Sequence, residues 1–521
     1  MDSHAALFDH RLPSSKSWDL PAIFVMIVIT ATLVMLGTRF RTSLDFSTSE
    51  EGKIRRPHLL PYSIPYIGHI LRLLYDTDHY LDSARRTTPT SIFALNLLGR
   101  RHNVICSLPM ADNLLKLSGS GTLNEQPIDE RLLKNVFLVP SKELPVYMSL
   151  QHKLQALYAK HLQSFNNNDD NANRAIRSLQ THLPELLTLN PSPIDQEPWE
   201  KSSNPKLDSK NDSAEVSLLP LIHNFLTHIT VQSLLTPSLL YQKPDIASFL
   251  LDLSRNFIPL FTGLSRTIPH PSLPKAHISR RNLLNQLEPF CAALRAVTEG
   301  KDPGPEYRDL LEDEDAVAPL LREVQEILAV GDGQGRSLSL DPRIAALTVL
   351  LWRMNVSHAL AFWMVLHIVA SPDVGLVERV RAEVEPFVRA TQPEKILGFA
   401  QPVSMDIDVD GLIAKCVILR SCFLETVRVY GRGWKAGKIV RDFTLVDDDS
   451  LSWSLKRNEW VHAPIWVANA ADGQFYPDPE VWKCERHIDQ VKTISGGDVA
   501  VEGKTYFESK SRFLNLSKDS S

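Results

Sequence analysis

The chain has 521 residues, enough for one large domain or several modest ones. A net charge of −5 supplies no basic field, so nucleic acid is excluded as a partner. The five cysteines, at 106, 291, 416, 422 and 484, are odd in number and lack CxxC spacing, which argues against a disulfide scaffold or a structural zinc site and for reduced thiols facing the cytosol.

Residues 1–19 precede an uncharged run, Leu20–Thr38, bounded by Asp19 and Arg39. As a helix it spans roughly 28 Å, about the thickness of a hydrocarbon core. Arg39, Arg41, Lys53, Arg55 and Arg56 follow it, so the positive-inside bias places the rest of the chain in the cytosol. The run exceeds the 7–15 residues of a signal-peptide core and no clean cleavage site follows, which favours an uncleaved anchor. Segment 39–68 carries Pro57, Pro61 and Pro65 and reads as a basic, stiff, non-helical hinge, with Gly68 turning the chain into a helix near His69. Ser91–Leu98 and Asn103–Cys106, split by Gly99-Arg100-Arg101, predict a β-hairpin. Residues 164–213, with NNNDDNAN and many prolines and charges, read as a flexible, solvated insertion within the domain 69–521.

The strongest helix signal opens at Asp341-Pro342, an N-cap followed by a proline at the first helical position, and runs to Ala370 before Ser371-Pro372. Such a helix is roughly 43 Å long and apolar nearly all round, so it is buried or spans a membrane. Arg353, Asn355, Ser357 and His358 at its middle argue for the core of a large domain, since charge is expensive in lipid. An amphipathic helix follows from Ser371-Pro372-Asp373 to about Arg389.

Further on, Leu424-Glu425-Thr426-Val427-Arg428 puts a carboxylate and a guanidinium three residues apart on one helical face. The neighbours Ile418, Leu419, Cys422, Phe423, Leu424 and Val427 argue for burial, and a buried pair needs further partners to offset desolvation. Arg486, from the segment ANAADGQFYPDPEVWKCERHI, is placed to complete an Arg–Glu–Arg network.

The anchor with its proline-rich hinge, the long central helix, the ExxR of Glu425 and Arg428, and the YPDPEVW segment with Arg486 at the arginine of a "PERF" motif occur in the order found in the cytochrome P450 family, which the chain resembles from about residue 57 to 513. The wording VHAPIWVANA and the Phe-Trp in the central helix resemble the prostacyclin synthase and sterol 12α-hydroxylase-like branch and its fungal relatives. The resemblance implies a mainly α fold with small β-sheets (α+β) behind one N-terminal transmembrane helix, with the large domain on the cytosolic face of the endoplasmic reticulum. It implies a heme monooxygenase acting on a lipophilic small molecule of terpenoid, steroid-like or polyketide-derived kind, with electrons from NADPH-cytochrome P450 reductase. It marks Asn355, Ser357 and His358 as the candidate catalytic positions, where the branch carries Asn-x-Asn-Thr. For His358 a hydrogen-bonded core histidine is the plainer alternative, and for Arg353 pairing with either a haem propionate or an acid stays open. The family's iron ligand stands in a loop F-x-x-G-x-x-x-C-x-G. No cysteine follows Arg486, and the tail KSRFLNLSKDSS turns polar after Leu514, so a C-terminally truncated fold without its haem-ligand loop is expected. A haem-free, inactive scaffold is the alternative.

Overall fold

A β-hairpin sets the main sheet. In the computed structural model, which describes residues 20–48 and 54–496 apart from 63, 89, 118–119, 163–169, 209–212, 237, 269, 314–315, 332–335, 393–402, 448–449 and 472–475, strand β2 (Ile92–Leu97) pairs antiparallel with β3 (Arg100–Ile105), from Ile92 opposite Ile105 to Leu97 opposite Arg100. The turn is Leu98-Gly99, with φ of 53° and 75°. Two left-handed residues match the twist of the flanking strands. Arg100 and Arg101 therefore lie in the strand and not in the turn. Around this hairpin the sheet runs β1 (His58–Leu59), β2, β3, β6 (Trp460–Pro464), β5 (Trp434–Ile439) and β4 (Leu123–Asn124). Its β3–β6 junction is parallel and joins chain ends far apart in sequence. Gly68 does make the predicted turn. Its φ is +61°, and a Cβ there would lie 2.0 Å from the Asn96 carbonyl oxygen.

The helices supply the larger layer. Those labelled here are α1 (Leu20–Thr48), α2 (Thr77–Thr87), α3 (Gln126–Asn135), α4 (Leu144–Leu162), α5 (Asp170–His182), α6 (Pro198–Ser202), α7 (Leu218–Leu234), α8 (Leu273–Thr298), α9 (Pro319–Val330), α10 (Leu340–Asn355), α11 (His358–Val369), α12 (Leu376–Val384), α13 (Val417–Tyr430) and α14 (Ile488–Gly496). The principal core gathers Leu150 and Leu154 of α4, Leu283, Leu287 and Phe290 of α8, Leu321 of α9 and Leu347, Leu350 and Leu351 of α10. This mainly α architecture with small sheets is the expected fold class.

Three further expectations are corrected. The hinge begins later than residue 39, because α1 continues to Thr48: no glycine or proline interrupts it there. Segment 164–213 is folded over most of its length. α5, α6 and the ribbon Lys206–Asp208 with Ser213–Glu215 occupy it, and Trp199 buries its indole against Leu221, Phe225 and Ile229 of α7. The single central helix is two. α10 starts at Leu340 behind Ser339, whose N–H and hydroxyl donate to the Glu143 carboxylate at 2.8 and 2.7 Å. The ladder breaks at Val356-Ser357, where Asn355 Nδ2 donates back to the Leu351 carbonyl at 2.7 Å. A side chain entering the backbone ladder is a recognised cause of a kink.

Taken together, 340–369 is the one stretch among the described residues long and apolar enough to cross a membrane. Packing of α10 among α7, α8 and α9 makes it a core element. The tail after 496 and residues 1–19 lie outside the described residues.

Candidate functional site

α13 carries the ExxR pair into the interior because its apolar neighbours face α11 and α12. Ile418 and Cys422 pack with Ile368 and Leu376. Glu425 is 0% exposed, so every bond to its carboxylate is made without competition from water. Arg428 approaches as a fork, Nε to Oε2 at 2.7 Å and Nη2 to Oε1 at 2.9 Å. Arg486 Nε donates to Oε1 at 3.0 Å and so does the Lys483 backbone N–H, also at 3.0 Å. The fourth side chain is His487, whose Nε2 lies 3.2 Å from Oε2. Facing an acceptor, that nitrogen carries the proton. Burial alone would raise the Glu425 pKa, but the bonds from Arg428 and His487 outweigh it and hold it down at about 2.

The arginines spend their remaining donors on the loop that precedes α14. Arg428 Nη1 donates to Pro479 O at 2.6 Å and Arg486 Nη1 to Pro477 O at 2.7 Å. Both guanidiniums lie over the Tyr476 ring, at 5.0 and 5.8 Å. Ser421 receives the His487 N–H at 3.1 Å and donates to the Cys484 carbonyl. Trp482 donates to Thr426 Oγ1 at 3.1 Å and stacks on His367 at 4.9 Å. The sequence therefore located Glu425, Arg428 and Arg486 but missed His487. Its only signal was its position directly after Arg486.

Asn355, Ser357 and His358 are divided by the helix break. Asn355 and His358 are buried and turn toward α7: Thr230 Oγ1 donates to Asn355 Oδ1 at 3.1 Å, and His358 Nδ1 is 3.4 Å from Thr227 Oγ1. His358 also meets the His223 ring edge-on at 5.8 Å. Burial, helped by His223, pushes its pKa down to about 3, so it is neutral at physiological pH. Ser357 is exposed at the break. The three do not form one constellation.

Haem-thiolate ligation needs an accessible sulfur held as thiolate. The cysteines of the chain do not fit. All five are buried. Burial pushes Cys106, Cys291 and Cys422 up to about 12 and Cys416 and Cys484 up to about 11. Cys106 sits among Leu81, Phe93 and Leu95, and Cys291 within the helical core. Cys416 caps α13 and its Sγ donates to Glu383 O at 3.3 Å. Cys484, with Asp373 and Glu485, brings three potential ligand atoms within 4.8 Å of one another. Arg379 already bridges both of those carboxylates.

Comparison with known proteins bears on this geometry. No family model matches the chain. A cytochrome P450 monooxygenase of Gibberella zeae is 28% identical over 130 residues, 25% of this chain and 23% of that protein. Prostacyclin synthase of Bos taurus is 27% identical over 146 residues, 27% of each chain. The matched stretches thus span about a quarter of these relatives. The structure of retinoic acid-bound cyanobacterial CYP120A1 aligns over 83% of this chain and 82% of its own with a TM-score of 0.50 at 18% identity, a likeness of fold. In two stretches of sequence the chain is thus similar to cytochrome P450 proteins, and over most of its length it shares the fold of one.

Proposed function

We propose that the protein is the framework of a membrane-bound cytochrome P450 monooxygenase for a lipophilic secondary-metabolite intermediate of terpenoid, steroid-like or polyketide-derived kind, working with NADPH-cytochrome P450 reductase at the endoplasmic reticulum. The observation that carries the reading is the Glu425–Arg428–Arg486 network, because it fixes the loop that precedes the ligand segment in this family. In this reading α1 is the anchor and keeps the domain beside the lipid that stores such substrates. Asn355 and His358 set the kink of the central helix through α7, and Ser357 is the member of the trio open to a substrate. None of the five cysteines is assigned to iron, since all are buried.

A second reading, a haem-free scaffold, is favoured by the burial of all five thiols. Spectroscopy separates the two. The reduced, CO-treated 521-residue chain should lack the red-shifted Soret band that thiolate ligation produces. The same chain extended after Leu514 by an F-x-x-G-x-x-x-C-x-G segment should gain it. Failure of the extended chain to take up haem would select the scaffold, and a thiolate band from the unextended chain that vanishes in Cys484→Ser would overturn the assignment of no ligand.

A further inference from the structure

Arg353 stands on α10 with its guanidinium 5.1 Å from the centre of the Tyr158 ring, and among the described residues it forms no ion pair. A guanidinium cannot shed its charge and offers five N–H donors. Groups with unmet hydrogen-bonding capacity gather around it. Tyr158 is 4% exposed and its hydroxyl has no partner. The Gln151 amide bonds to Asp129 and leaves its Oε1 buried and unmatched. Buried polar groups without partners are uncommon in folded proteins, and two converging on one unpaired cation are rarer.

We propose that Arg353 and Tyr158, flanked by Gln151 and Asp129, form a binding site for the carboxylate of an apolar molecule. The proposal deepens the function given above, on which the apolar part of the ligand rests. A carboxylate matches the guanidinium fork through two parallel N–H···O bonds and leaves lone pairs for the Tyr158 hydroxyl. Charge limits the ligand to a monoanion. Lys435, a second cation acting on Asp129, is already paired with Glu125 at 2.6 Å, so once Asp129 is protonated the positive charge left to meet an anion is that of Arg353. Arg353 also lies in the last turn of α10, where the backbone presents carbonyls and repels a dianion such as a phosphate. Asp129 adapts to the ligand. Burial, with Glu125 nearby, raises its carboxyl to about 6, so it can take a proton and donate when an anion arrives. Past the exposed break at Val356-Ser357, α11 carries half-exposed Phe362 and Val365, apolar surface for the remainder of the molecule.

The test uses the full chain in detergent without haem, titrated by calorimetry with decanoate and with decanol. Decanoate should bind at least about tenfold more tightly. Arg353→Gln should abolish that preference, Arg353→Lys should keep part of it, and Tyr158→Phe should weaken it by about three- to tenfold without touching decanol. A parallel arm compares haem with its dimethyl ester, in which both propionates are blocked. Preference for the free acid in the decanoate arm assigns the site to a small molecule, and preference only in the haem arm assigns it to a cofactor propionate. No acid preference in either arm, or a preference that survives in an Arg353→Gln protein shown to be folded by circular dichroism, overturns the site. Loss of the monooxygenase reading in the spectroscopic test, with the decanoate preference intact, leaves the carboxylate site standing.

Discussion

Glu425 accepts from two arginines, a histidine and a backbone N–H while fully enclosed. Glu425→Ala strands two guanidiniums in a region built to neutralise them, and breaking a buried pair in this way costs about 3–5 kcal/mol. The variant should show that loss as a lowered urea midpoint with an unchanged slope; a midpoint within error of the parent would contradict the network's role. The same carboxylate carries an acid dependence. Its folded pKa of about 2 lies below the ordinary glutamate value of about 4.5, so its stabilisation is complete above the unfolded pKa and fades as pH falls from there toward about 2. Urea unfolding between neutral and strongly acidic pH should be steeper in the parent than in Glu425→Gln over that window, and parallel curves would refute the assignment. This network was legible in the sequence because i,i+3 spacing puts two charges on one face and apolar neighbours signal burial. His487 was not legible, since a histidine beside an arginine has no periodic signature and its role depends on a loop returning to α13.

At the scale of elements, polar composition concealed a folded segment. Residues 170–208 look solvated, yet one indole decides otherwise, since Trp199 is buried against three apolar residues of α7. Trp199→Ala should cost about 3–5 kcal/mol in that subregion and open it to protease cleavage between 170 and 208; an unchanged digestion pattern would mean the segment is held by other contacts. The central helix shows the reverse error. Nothing in Asn355-Val356-Ser357-His358 breaks a helix by propensity, and the continuous reading followed from local pattern. The break depends on Thr227 and Thr230, more than a hundred residues away, which bind the side chains on either side of it. Tertiary contacts of that range leave no trace in a local window. The hairpin itself, in contrast, was readable because Gly99 is suited to a left-handed turn residue, although its turn is Leu98-Gly99 and not Gly99-Arg100-Arg101.

For the whole molecule, the proposed orientation gives a direct experiment. With α1 in the bilayer and basic residues after it, protease added to sealed microsomes should digest the large domain. Survival of that domain would place it in the lumen and refute the cytosolic arrangement. The overall mainly α class was foreseeable through the family resemblance that the ExxR pair and the YPDPEVW segment carry. The sheet's full order was not, because its strands come from both ends of the chain and no local pattern specifies a parallel partner hundreds of residues away.

That parallel junction also sets a timetable for synthesis. His102 of β3 and His462 of β6 bond across it although they are 360 residues apart. At about 5–20 residues per second, β3 waits roughly 20–70 s on the ribosome before its neighbour is made. During that interval the hairpin presents an unpaired edge, the kind of surface on which nascent chains associate wrongly. Chains arrested before Trp460 should therefore depend on holding chaperones far more than chains arrested after Pro464, which ribosome-release crosslinking at the two lengths would reveal.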